Sequence, residues 1–154
     1  MRLTAKSEYG LLAMIEIASA GGNPVSARSI SETQKIPMKF LEQLLVALRR
    51  AGLVSARRGA HGGFILAVDG SQATVLDVVE ALEGPLVAKL CDSGRGAVCG
   101  RTGACAASVV WNRATDSLRD VFSSTTLTDL VTEQNQFDLV HRNGSDGGRV
   151  ERAR

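Results

Sequence analysis

The stretch Met38-Lys-Phe-Leu-Glu-Gln-Leu-Leu-Val-Ala-Leu-Arg-Arg-Ala51-Gly-Leu-Val-Ser-Ala-Arg57-Arg-Gly-Ala-His-Gly-Gly63-Phe-Ile-Leu-Ala-Val68 decides the fold. Phe40, Leu41, Leu44, Leu45 and Leu48 recur at helical spacing, which predicts a helix from about Met38 to Ala51. Gly52 follows where a left-handed C-cap is favoured. Then the period changes. Leu53–Arg57 and Phe64–Val68 read as short strands, and Arg58-Gly-Ala-His-Gly-Gly63 between them is rich in turn residues. The pattern is a β-hairpin with a basic approach and a glycine-rich tip.

Upstream, Ser26 is a plausible N-cap for a short helix through about Gln34, with Ile30 facing inward. Lys35-Ile36-Pro37 is a tight connection. Residues 8–20 carry Tyr9, Leu12, Ile15 and Ala18 at helical spacing, and Gly21-Gly22-Asn23-Pro24 stops that helix. Helix, helix, helix, hairpin is the order of a winged helix-turn-helix. Downstream, residues 75–83 predict another helix, ending at Gly84-Pro85. A long helix is expected from about Ala104 to Phe122, with Ala107, Trp111, Ala114, Leu118 and Val121 on one stripe. Thr126 and Asp129 fit a capping box with Asp in place of Glu. From His141 the chain is polar and glycine-containing, and is expected to be disordered.

The fold class is therefore mainly α with a small β-hairpin wing: a winged helix-turn-helix domain plus a long dimerisation helix. The expected divisions are 1–84 for the DNA-binding domain, 85–103 for a cysteine-rich loop, 104–140 for the dimerisation helix and the helix after it, and 141–154 for the tail.

All three cysteines fall in the loop Cys91-Asp-Ser-Gly-Arg-Gly-Ala-Val-Cys99-Gly-Arg-Thr-Gly-Ala-Cys105. Thiolates gathered on a polar loop suit a soft metal or an iron–sulfur cluster. Its four glycines let the backbone fold around something compact. A disulfide with one spare thiol is the rival reading, and an odd cysteine count without secretory context fits it poorly. No signal peptide is legible, and no run reaches the eighteen or so apolar residues a membrane span needs. The expected location is the cytoplasm, with no membrane partner.

Composition is ordinary for a globular chain, 44% hydrophobic and 22% charged, and the net charge of +2 by itself implies no polyanion partner. Its distribution says more. Lys35 and Lys39 flank the start of the third helix, Arg49 and Arg50 lie at its end, and Arg57 and Arg58 enter the wing. Cations so placed can neutralise phosphates and set register. Lys39, Glu42 and Gln43, on the N-terminal turns of the third helix, would face base edges. Arg58 or His61 at the wing tip could enter a minor groove. The bland alternative is a solvated charged surface on an unrelated helical domain.

Met1-Arg-Leu-Thr, Tyr9-Gly, Phe40-Leu-Glu-Gln-Leu-Leu, Ala51-Gly-Leu-Val, Arg58-Gly-Ala-His-Gly-Gly-Phe, Leu82-Glu-Gly-Pro and Thr125-Thr-Leu-Thr-Asp-Leu-Val together resemble the IscR/NsrR/RirA family of bacterial winged-helix regulators, over roughly residues 1–135. The resemblance implies a homodimeric regulator of a palindromic operator in double-stranded DNA. It also implies that Cys91, Cys99 and Cys105 hold an iron–sulfur cluster, [4Fe–4S] in preference to [2Fe–2S]. IscR-type members carry a histidine three residues after the last cysteine, where this chain has Ser108. NsrR-type members take a carboxylate from the start of the partner's first helix, and Glu8 occupies that position. The other reading of Glu8 is a solvated first-turn acid that complements the helix dipole. His61, in the expected wing, and His141, at the start of the tail, are the only histidines, and neither is the expected ligand.

The expected function is a cluster-controlled transcription regulator that senses cluster supply, iron, redox state or nitric oxide. The alternative is a metal-free thiol-switch repressor using the same cysteines. An enzyme is not expected. The chain has no glycine-rich nucleotide loop and no convincing Ser/His/Asp or paired-carboxylate set, and no small-molecule substrate is implied.

Overall fold

The computed structural model describes residues 4–59, 61–86 and 105–145. Helix α1 (Ala5–Ser19) begins where the Thr4 hydroxyl accepts from the N–H of Lys6 at 3.2 Å. That satisfies one of the donors a helix start leaves without a partner. The helix starts three residues before the expected position, because Thr4 caps it and Ala5 and Lys6 are good helix formers. Helix α2 (Ala27–Gln34) is capped as expected, with the Ser26 hydroxyl accepting from the N–H of Ser29 at 3.1 Å and Ile30 fully buried. Lys35, left-handed at φ 55°, turns the chain into α3 (Met38–Arg50). The 3.6-residue period of α3 buries Leu41, Leu44, Leu45 and Leu48 and leaves its charged residues outside.

The wing is the antiparallel pair β1 (Val54–Arg57) and β2 (Gly63–Leu66), with Val54 opposite Leu66 and Arg57 opposite Gly63. Both strands are one or two residues shorter than expected at their outer ends. Val25, in the turn before α2, adds a short third rung. The N–H of Phe64 donates to the Val25 carbonyl at 2.8 Å, and the Val25 N–H returns a bond to the Phe64 carbonyl at 3.0 Å. This close approach requires Gly63, since a Cβ there would lie 2.5 Å from the Val25 carbonyl oxygen.

Helices α4 (Val75–Glu83), α5 (Ala106–Ser124) and α6 (Leu127–Ser145) complete the chain. Helices α4 and α6 start side by side. Each start is a capping box. Thr74 and Asp77 exchange bonds at 2.8 and 3.2 Å, and Thr126 and Asp129 at 2.9 and 3.1 Å. An antiparallel bridge joins them, with the Val75 N–H donating to the Thr125 carbonyl and the Leu127 N–H to the Ala73 carbonyl, both at 2.9 Å.

Two boundaries differ from expectation. Helix α6 runs to Ser145, so residues 141–145 are helical rather than part of a disordered tail. No glycine or proline interrupts the chain between Leu127 and Gly144, and polar residues on an exposed helix do not stop it. Second, Leu127 is fully buried in the same apolar cluster as Met14, Ile17, Ile30, Leu41, Leu45, Leu48 and Val78. The core of the winged unit is thus not confined to residues 1–84. Helix α5 buries only Thr115, whose hydroxyl bonds the Trp111 carbonyl at 2.9 Å. Trp111 and Val121 of the expected stripe are 53% and 59% exposed in the single chain, and Leu118 is half-buried.

Candidate nucleic-acid interface and cysteine segment

The inward leucines of α3 determine which of its side chains face out. Lys39, Glu42 and Gln43 are all exposed on its first half, and Arg49 and Arg50 on its last turn. Arg57, Arg58 and His61 are exposed at the far end of the hairpin. Between α3 and β2 lies a groove of about 430 Å³ lined by Ala27, Glu42, Leu45, Val46, Arg49 and Phe64. It carries a carboxylate and a guanidinium over an apolar floor. Val46, 40% exposed, went unnoticed in the sequence. Its spacing could have revealed it, because it stands one turn beyond Glu42 and Gln43 on the same face. The Val25 rung joins the wing to the turn before α2 by two backbone hydrogen bonds.

The cysteine segment is placed by its two ends. Cys105 is the N-cap of α5, half-buried, and its side chain makes no capping hydrogen bond. Ser108, at the position of the IscR-type histidine, uses its hydroxyl on the Cys105 carbonyl at 2.6 Å. Cys91 and Cys99 lie outside the described residues. At the other end, Leu86 is 5% exposed and its N–H donates to Glu80 Oε1 at 3.0 Å.

Glu8 is exposed on the first turn of α1. That turn is tied to the end of α4. Glu83 Oε1 accepts from the Ser7 hydroxyl at 2.8 Å, from the Thr4 N–H at 3.3 Å and from the Thr4 hydroxyl. Partial burial pushes the Glu83 carboxyl up. The Thr4 and Ser7 bonds and the Lys6 ammonium outweigh that and hold it below its ordinary value. A carboxyl lowered by folding contributes stability above its ordinary titration range, and loses it as pH falls through the folded value.

Among the described residues, no three His, Cys, Asp or Glu side chains come together to hold a metal. Cys105 stands apart from Glu8 in sequence and fold element, and His61 belongs to the wing. The donor chemistry of the described end nevertheless fits an iron–sulfur cluster: thiolates are the usual ligands of such clusters, and the Cys105 thiol is not used in capping. No helix among the described residues is long and apolar enough to cross a membrane.

The family profile described as "Rrf2: Iron-dependent Transcriptional regulator" matches residues 3–133. The chain is 35% identical over 155 residues to the HTH-type transcriptional regulator IscR of Photorhabdus laumondii, covering 100% of this chain and 93% of that protein. The structure of CymR, the global cysteine regulator of B. subtilis, superposes with a TM-score of 0.72 at 35% identity, over 86% of this chain and 98% of CymR. The oxidized form of Staphylococcus aureus CymR superposes with a TM-score of 0.68 at 33% identity, over 85% of this chain and 96% of the other.

Proposed function

The chain belongs to the Rrf2 family of transcriptional regulators, and from that premise we propose that it acts in the cytoplasm as a homodimer on a palindromic operator, controlled by an iron–sulfur cluster on Cys91, Cys99 and Cys105 with Glu8 of the partner subunit as fourth ligand. Like its relatives it is a DNA-binding regulator and not an enzyme. The observation that most supports the cluster reading is that the half-buried Cys105 begins α5 with its thiol left out of capping. A bound cluster supplies a bond network whose presence and charge depend on iron and oxidants.

The chain's own residues then do two things. Lys39, Glu42 and Gln43 read base edges, and Arg57, Arg58 and His61 hold backbone and minor groove. Glu8 would hold iron through oxygen, a weaker donor to it than a thiolate, and would be the most readily displaced of the four ligands. The likeness to the oxidized form of a CymR favours a second reading, in which two of the same thiols oxidise without metal. Anaerobic purification with iron and sulfide analysis separates the two. Iron and sulfide with visible absorption, and DNA binding that changes on cluster loss, support the cluster. Metal-free protein whose binding changes on reversible thiol oxidation supports the thiol switch. DNA binding indifferent to both overturns the sensor reading.

On the DNA side, Glu42→Ala is expected to cost about 1–3 kcal/mol on the preferred operator and to relax one of its positions. Arg57→Ala is expected to weaken all sequences alike and to reduce the salt slope by about one. Selection from a random duplex pool, followed by salt titration, checks both. An unchanged selected sequence for Glu42→Ala means that α3 does not enter the major groove as proposed.

On the dimer side, the exposed α5 stripe needs cover, and a two-fold operator calls for a two-fold protein. Trp111 is its largest side chain. Leu118→Glu places a charge in that seam, and sedimentation is expected to show monomers with weakened operator binding. A Leu118→Glu protein that remains dimeric refutes the assignment.

A further inference from the structure

Three elements meet through polar side chains where the cysteine segment leaves α4. Arg119 of α5 donates from one guanidinium nitrogen to Glu80 Oε1 at 2.7 Å and to the Leu86 carbonyl at 3.2 Å. The same Glu80 oxygen accepts the Leu86 N–H at 3.0 Å. One ion pair therefore engages both backbone polar groups of a residue whose side chain is itself buried. Glu80 and Arg119 are 31% and 40% exposed, so the pair contributes little to stability as a charge contact. What it supplies is geometry, because a guanidinium aimed at two acceptors fixes their relative positions.

The placement gives this clamp its meaning. Leu86 lies just upstream of Cys91, and Cys105 starts the helix that carries Arg119. Helix α5 rises about 20 Å between Cys105 and Arg119 at its ordinary pitch. The two ends of the cysteine segment are thus fastened to one helix, about four turns apart. Leu86 and Cys105 are the described residues that border that segment on either side. One turn beyond Glu80, Glu83 holds Thr4 and Ser7 at the start of α1. The last turn of α4 therefore joins the upstream end of the segment, the α5 helix and the first helix of the DNA-binding core.

We propose that Arg119 is a positioning residue that transmits the state of the cysteine segment to the DNA-binding core, through Leu86 and Glu80. The proposal rests on the reading of that segment as the sensor. Arg119 is assigned neither to ligation nor to DNA contact, so its loss separates sensing from response.

The test uses the full chain and a duplex selected by the unaltered protein from a random pool. Operator affinity, visible spectrum and melting temperature are measured for cluster-loaded and cluster-free reduced forms of the unaltered protein, Arg119→Gln, Arg119→Lys and Glu80→Gln. For the unaltered protein the two forms are expected to differ in affinity by about tenfold or more, a typical coupling between sites. Arg119→Gln is expected to keep the spectrum and melting temperature while that ratio falls below about threefold. Glu80→Gln is expected to do the same, since Gln still accepts the Leu86 N–H but forms no ion pair. Arg119→Lys is expected to restore part of the ratio, because an ammonium can pair with Glu80 but lacks the planar guanidinium that fixes the direction of its N–H groups. An unchanged ratio in Arg119→Gln and Glu80→Gln, beside a normal ratio in the unaltered protein, overturns the role of Arg119 alone. No ratio in the unaltered protein overturns the sensor reading and this assignment with it. If Arg119→Gln melts early, Glu80→Gln decides the outcome.

Discussion

Replacing Leu127 with alanine is expected to lower the unfolding free energy by about 2–5 kcal/mol, the range for truncating a fully buried leucine. Leu127 is 0% exposed and packs in the cluster formed by Met14, Ile17, Leu41 and Val78. The space it leaves cannot readily collapse, because its own N–H is held by the Ala73 carbonyl and its neighbour Thr126 is locked in a capping box. The loss is a large fraction of the roughly 5–15 kcal/mol that keeps a domain folded. Denaturant titration at one fixed protein concentration measures it, since association would otherwise add to the apparent stability. A loss well under about 1 kcal/mol would mean that α6 does not belong to the winged core.

The second large effect concerns the cysteines. Cys91→Ser, Cys99→Ser and Cys105→Ser are each expected to remove most of the bound iron and sulfide from anaerobically purified protein. Serine offers a harder oxygen donor in place of a thiolate, and a cluster held by two thiolates and a carboxylate is readily lost. The helical content of the winged core is expected to survive, since Cys105 stands outside the apolar cluster that holds that core together. Operator affinity should then no longer depend on iron. Glu8→Ala gives the contrast, with a cluster that forms but is lost faster. Full occupancy in all three cysteine variants would show the ligand assignment to be wrong.

Local chemistry made much of the fold legible. Ser26 marks the start of α2, Thr126 and Asp129 mark α6, and Gly52, at φ 76°, marks the end of α3. Caps and turns of this kind are decided within a few residues, so the chain states them directly. The alternation between period 3.6 and period 2 located the wing. The Thr74–Thr126 bridge, the burial of Leu127 and the Arg119 clamp were not legible. Each joins residues far apart in the chain, and periodicity tells which face of an element is apolar without telling what that face meets. The candidate interface divides in the same way. Lys39, Glu42 and Gln43 are exposed because the leucines between them are buried, which the spacing already implied. The ligand role proposed for Glu8 would depend on a second chain, and no spacing within one chain contains that.

The bridge between Thr74 and Thr126 also bears on how such a regulator can diversify. It pairs the starts of α4 and α6, both of which contribute side chains to the winged core, so that the core is closed on either side of residues 87–104. The entropy lost in closing a flexible loop grows only with the logarithm of its length, about 0.6 kcal/mol for each doubling. On that scaling, a change in the number of residues between positions 87 and 104 is expected to cost the DNA-binding core little, provided that the two capped helix starts still pair. The fold works as a socket. What is plugged into it can be replaced by evolution or by a designer, and the reader of DNA stays as it was.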